Sequence, residues 1–147
     1  MQEYIRTIKK ELVAGNATEH THRPALKALI EELAVGVIAT NEPSRIECGA
    51  PDFVVSKGAL TVGYIEAKDV GRSLDEAEKT EQLGRYRDSL TNLILTDYVE
   101  FRWYVDGEHR FSARLGTPTK EDKIKRDKAG VQAVTELLSD FLAHKAE

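Results

Sequence analysis

The order of patterns along this 147-residue chain predicts an α/β fold, a mixed β-sheet flanked by helices on both faces. Three observations carry that prediction. Amphipathic helical stripes stand at both ends of the chain. A continuous apolar run, NLILT at 92–96, lies between them and reads as a buried strand. Two turn signals, Lys57-Gly58 and Asp106-Gly107, join β-prone segments into hairpins.

The elements follow in order. Tyr4, Ile5, Ile8 and Leu12 recur at helical spacing, and Gly15-Asn16 ends that helix. Leu26, Leu29, Ile30 and Leu33 form the stripe of a second helix. Pro24 lacks an N–H and belongs in its first turn, so it begins near Thr21 and ends at Gly36. Val37 to Thr40 is short and β-prone, closed by Pro43. Phe53 to Val55 and Leu60 to Ala67 form a hairpin. Leu74 to Leu90 reads as one helix. Strands follow at 92–96, Tyr98 to Val105 and Arg110 to Leu115. Thr117 to Lys128 is polar and reads as a loop or irregular helix start, and Val131 to Ala143 closes the chain as an amphipathic helix. Trp103, Phe101 and Val105 alternate at period two and read as core.

Composition narrows the classes. With 41% hydrophobic and 31% charged residues, the chain suits one compact domain over 1–147. No apolar run approaches the roughly 18 residues that span a membrane, and the amphipathic N-terminus is no signal peptide. Cys48 is the single cysteine, which excludes an intrachain disulfide and a cysteine-rich zinc site. The cytoplasm is the expected compartment. The net charge of −4 is unlike a protein that holds DNA by itself, since phosphate neutralisation dominates such affinity. Either the partner is not a nucleic acid, or another domain supplies the hold.

The chemistry concentrates in GAPDFVVSKGALTVGYIEAKD, residues 49–69. Strand side chains alternate, so Glu66 and Lys68 share one face while Ile65 and Ala67 take the other. If 53–55 pairs with 60–67, Asp52 comes close to Glu66. Two adjacent carboxylates repel unless a cation joins them, and Mg²⁺ favours one or two carboxylates with water and phosphate oxygens. Lys68 would then position water or stabilise charge. Nearby carboxylates keep it protonated while burial opposes this, so positioning is favoured over proton abstraction. The alternative is a surface salt bridge on an edge strand. A second Glu-x-Lys, Glu121 to Lys123, lies in a polar stretch and reads as solvated surface.

Pro51-Asp52 followed by Glu66-Ala67-Lys68 resembles the PD-(D/E)xK nuclease signature, whose core has a similar order of elements. Gln82 and Tyr86 are similar to the Q-x-x-x-Y motif that some members carry, at a spacing that shares a helix face. The stretches ATEHTHRPALKALIE, NEPSRIECGAPDF, GYIEAKDVG and KTEQLGRYRDSLTNLILTDYVEFRWYVDG resemble the Mrr-like nuclease domain at the N-terminus of Type ISP restriction–modification polypeptides. The resemblance covers most of the chain to about residue 115.

It implies a restriction-endonuclease-like core and Mg²⁺-dependent hydrolysis of DNA, with Mn²⁺ as a substitute. Asp52 and Glu66 would hold the metal, Lys68 would act beside them, and Gln82 and Tyr86 would support the site. A further acid is expected on the first core helix. Glu19 extends the core-facing stripe and is preferred to Glu31 and Glu32, which fall on the solvated side. His20, His22 and Arg23 lie beside it at a helix N-terminus and suit DNA phosphate contact. A metal role for the His20/His22 pair lacks a third ligand. Such nucleases are followed by ATPase, methyltransferase and target-recognition domains, none of which fits in this length. The acidic charge suits a domain taken from such a polypeptide. Two alternatives remain: a silent DNA-binding or assembly module of the same fold, and a structure-specific nuclease such as a junction resolvase.

Overall fold

The computed structural model describes residues 1–15, 18, 20–41, 48–118 and 124–144. Two helices come first, α1 (Gln2–Val13) and α2 (Arg23–Leu33). α1 buries Tyr4, Ile5 and Ile8, and α2 buries Leu26, Leu29 and Ile30. Those residues are the two stripes read from the sequence except for Leu12 and Leu33, which are half-buried, and each fully buried Leu or Ile contributes about 1.5–3 kcal/mol. α2 has Pro24 in its first turn, as a residue without an N–H donor permits, and His22 as its N-cap.

Three antiparallel strands follow: β1 (Val37–Asn41), β2 (Phe53–Lys57) and β3 (Leu60–Ala67). Gly58, at φ +61°, makes the β2–β3 turn. Two helices, α3 (Leu74–Glu78) and α4 (Glu81–Ser89), then carry the chain to β4 (Asn92–Thr96), which pairs with β3 in parallel. A parallel neighbour requires such a crossover. β5 (Glu100–Val105) and β6 (Glu108–Arg114) continue antiparallel, giving one six-stranded sheet in the order β1-β2-β3-β4-β5-β6. β7 (Gly116–Pro118) pairs with β8 (Ile124–Arg126), and α5 (Lys128–Ala143) ends the described chain.

Two readings need correction. The single helix expected from Leu74 to Leu90 is two helices. Thr80 is extended and its side chain accepts from the Leu83 N–H, so it caps a new helix and breaks the old one. The loop expected at 117–128 contains the short β7–β8 ladder, whose three-residue strands are too brief for a periodicity to register. The second Glu-x-Lys, at 121–123, lies outside the described residues.

Both faces of the sheet are covered. On one, α1, α2 and α5 pack Ile8, Leu26, Ile30, Leu138 and Phe141 against Phe53, Val55, Ile65, Ile94 and Phe101. On the other, Leu74, Ala77, Leu83 and Tyr86 from α3 and α4 meet Leu93, Leu95 and Tyr104. β4 serves both faces, and all five of its residues are buried. Gly63 is required where α5 crosses β3: a Cβ there would lie 2.7 Å from the Phe141 ring and 2.8 Å from the Asn92 carbonyl. Trp103 is core as read, and its indole N–H donates to Asn92 Oδ1 at 2.6 Å. No described helix is long and apolar enough to cross a membrane.

Two polar ties bind the layers. Glu31 is not simply on a solvated side. It accepts from Lys27 Nζ at 2.5 Å and from the Ala39 N–H at 3.0 Å, anchoring α2 to β1. Arg102 on β5 donates from Nη1 to Glu78 at 2.6 Å, from Nε to Glu100 at 2.8 Å and from Nη2 to Asp75 at 2.9 Å. This network ties α3 to the sheet.

Candidate active site

The β2–β3 ladder pairs Phe53 with Ile65, and the residue before one strand therefore meets the residue after its partner. Asp52 accordingly lies against Glu66. The Asp52 N–H donates to Glu66 Oε1 at 3.2 Å, and Asp52 Oδ2 accepts from the Ala67 N–H at 2.7 Å. These two bonds extend the ladder by side chains after its main-chain pairing ends.

Lys68 is held at the next step. Its N–H donates to the Thr96 carbonyl at 2.8 Å, prolonging the parallel pairing of β3 with β4, and its Nζ lies 3.2 Å from Glu66 Oε2. Asp52, Glu66 and Lys68 thus converge at the carboxyl ends of β3 and β4. Ile65 and Ala67 between them are buried in the core, as strand alternation requires.

Electrostatics sets this junction apart. Glu66 is only 5% exposed, and burial, with the charge of Asp52 added, pushes its carboxyl from the usual 4.5 up to about 7, against the pull of Lys68. Burial and the neighbouring Asp52 charge thus outweigh Lys68 at Glu66. Among the described residues, no three His, Cys, Asp or Glu side chains gather into a cage. Asp52 and Glu66 offer oxygen donors only, which suits a hard divalent cation completing its shell with water.

Arg23 joins the group from an unforeseen direction. It was expected to face DNA phosphates, yet it is 5% exposed and its Nη2 lies 2.5 Å from Asp52 Oδ1. The placement depends on the first turn of α2 passing beside the β2 start, which no local pattern reveals. His22 is likewise buried, with Nδ1 3.1 Å from Glu11 Oε1 and its ring edge-on to Tyr98. It packs inside and is not presented to a phosphate. His20 is exposed. Glu19 lies outside the described residues.

Gln82 and Tyr86 share α4 but not an environment: Gln82 is exposed and Tyr86 fully buried. Tyr86 underlies the turn that delivers Asp52. A Cβ on Gly49 would lie 3.0 Å from the Tyr86 ring and 3.1 Å from its hydroxyl, and Gly49 has φ +133°, a region suited to glycine. Burial, then the charge of Glu66, pushes the Tyr86 hydroxyl up to about 12, so it stays protonated as a neutral prop.

No family model and no curated protein matches the chain. Among solved structures, it is similar to a chain in a cryo-electron-microscopy structure of a DrdV–DNA complex, with a TM-score of 0.75 and 21% identity. The match covers 99% of this chain and 14% of that one. At this identity the likeness establishes a shared fold, a mixed sheet with flanking helices, and the chain spans a small part of its neighbour's length.

Proposed function

We propose that this chain is a divalent-cation-dependent DNA endonuclease domain, Mrr-like and belonging to a larger restriction–modification polypeptide. The observation that carries the reading is the junction of Asp52, Glu66 and Lys68 at one sheet edge, in a fold shared with a chain seen in a DNA complex. Asp52 and Glu66 would hold Mg²⁺, or Mn²⁺ in its place. When bound, such an ion lowers the pKa of its water and neutralises charge on a phosphoryl oxygen.

The chain's own groups supply the rest. Lys68 carries its charge beside Glu66, where it orients the attacking water and stabilises negative charge growing on the scissile phosphate. Tyr86 and Gly49 fix the turn before Asp52, and Gln82 faces outward from the same helix toward DNA. Glu19 would assist the cation or the water. One such site hydrolyses one strand, so a double-strand break takes two copies or two events. ATPase, methyltransferase and target-recognition domains elsewhere in the polypeptide would supply energy, modification and sequence choice, in the cytoplasm. That division accounts for an acidic nuclease.

The test is nicking of supercoiled plasmid by the chain in Mg²⁺ or Mn²⁺, against Asp52→Asn and Lys68→Met. Lys68→Met should slow nicking by about 10²–10³-fold, the typical cost of one preorganised electrostatic group. Asp52→Asn should lose both nicking and calorimetric Mn²⁺ binding. Nicking that persists in both variants, or Mn²⁺ binding unchanged in Asp52→Asn, refutes the assignment.

A further inference from the structure

We propose that Arg23 is a built-in counter-cation of this site, seated on the Asp52 oxygen that a divalent cation needs and displaced when that cation binds. The inference rests on Asp52 and Glu66 being the cation-holding pair.

The four charged side chains stand in the order Arg23, Asp52, Glu66, Lys68, with the two carboxylates inside and the two cations outside. Their formal charges already sum to zero. Their side chains are between 6% and 14% exposed, so little solvent screens them. An added doubly charged ion in such a place meets strong repulsion from any cation that stays.

Geometry decides which one leaves. Asp52 Oδ2 is tied to the backbone by the Ala67 N–H, which leaves Oδ1 as the oxygen free to reorganise, and Arg23 Nη2 occupies it. Lys68 has its Nζ on Glu66 Oε2, not on the Asp52 oxygen in question, and the backbone that carries it is held by its N–H on the Thr96 carbonyl. Arg23 projects from the first turn of α2 on a long, jointed side chain, and its Nη2 lies on Asp52 Oδ1. Cation binding therefore exchanges one positive group for another on Asp52 Oδ1.

The experiment is calorimetric titration of Mn²⁺ into the chain, its Arg23→Met variant and its Arg23→Lys variant, with circular dichroism as a check on folding. Arg23→Met keeps the apolar stem and removes the charge. It should bind Mn²⁺ at least about fivefold tighter than the parent, the lower end of typical coupling between sites. Arg23→Lys should restore the parent affinity. A folded Arg23→Met that binds Mn²⁺ equally or more weakly overturns the proposal, because a residue that merely orients Asp52 weakens the site on removal. If Arg23→Met does not fold, the parent chain decides: Mg²⁺ must shift the Arg23 side-chain nitrogen resonances, and unmoved resonances in a chain that binds Mg²⁺ overturn the exchange. Absence of binding in the parent and in Arg23→Met alike refutes instead the assignment of Asp52 and Glu66 to a cation.

Discussion

Two clusters of ion pairs, the one at Asp52 and Glu66 and the one around Arg102, use the same residue types to opposite effect. Around Arg102 the cation is central, and Asp75, Glu78 and Glu100 surround it. Burial pulls the Glu78 carboxyl upward, but hydrogen bonding and charge from Arg102 outweigh it and hold it below the ordinary range. At Asp52 and Glu66 the carboxylates are central and the cations peripheral, and Glu66 is pushed up to about 7. The difference lies in arrangement. Arg102 sits between acids and holds Glu78 down, whereas Asp52 and Glu66 lie against each other and Glu66 stays raised despite Lys68. Ion pairing by itself would cast both clusters as structural ties, and their order in space separates structure from chemistry.

The sharpest contrast should come from neutralising one acid in each. Glu66→Gln should slow Mn²⁺-dependent nicking by about 10²–10³-fold, the cost of a group acting directly on the reacting charge. Glu78→Gln should leave nicking within about twofold, since surface and structural substitutions away from a site change little. Equal losses would erase the distinction.

Next in size is the removal of the central cation. Arg102→Met takes the shared cation from Asp75, Glu78 and Glu100, leaving Glu78 to Arg87 and Glu100 to Arg114, and should destabilise the chain by about 2–4 kcal/mol in urea melts, near the cost of breaking a buried pair with allowance for its partial exposure. A loss below half a kilocalorie would show that the network is ornamental, as many surface ion pairs are.

The pH response should differ in sign between the clusters. Between pH 4.5 and about 7 the folded chain keeps a proton on Glu66 that the unfolded chain has released. Stability from this group is therefore complete below pH 4.5 and is lost as pH rises to about 7, by on the order of 1–3 kcal/mol. Glu78 is depressed, so its contribution is present above its ordinary range and is lost as pH falls. Urea melts from pH 4 to 8 should show a declining limb that Glu66→Gln removes, and Mn²⁺ at pH 8 should recover stability. A limb that survives Glu66→Gln assigns the titration to another group. The smallest effect is that of Glu78→Gln on stability at pH 7, a loss of about 1 kcal/mol, because a charged hydrogen bond to Arg102 becomes a neutral one. No loss in a urea melt at that pH would mean the Glu78 bond is replaced by water.

Much of this could be read along the chain. The stripes of α1, α2 and α5, the NLILT strand and the Lys57-Gly58 turn are local patterns, and each produced the element expected. The approach of Asp52 to Glu66 also followed, because a hairpin with a known turn has a calculable register. The Thr80 cap inside an apparently continuous helix and the β7–β8 ladder were missed, since a single side-chain bond or three paired residues leave no period to detect.

What the sequence determined by itself is most of the elements and the hairpin that brings Asp52, Glu66 and Lys68 to one edge, because these depend on residues near one another in the chain. Only the tertiary structure decided who else attends. Arg23 reaches Asp52 across 29 positions of sequence, and Thr96 holds Lys68 from a parallel strand reached through two helices. Those contacts are set by how layers stack, and so is the burial that raises Glu66. Periodicity says which face of an element is apolar; it is silent on which charged group of another element will be pressed against its end.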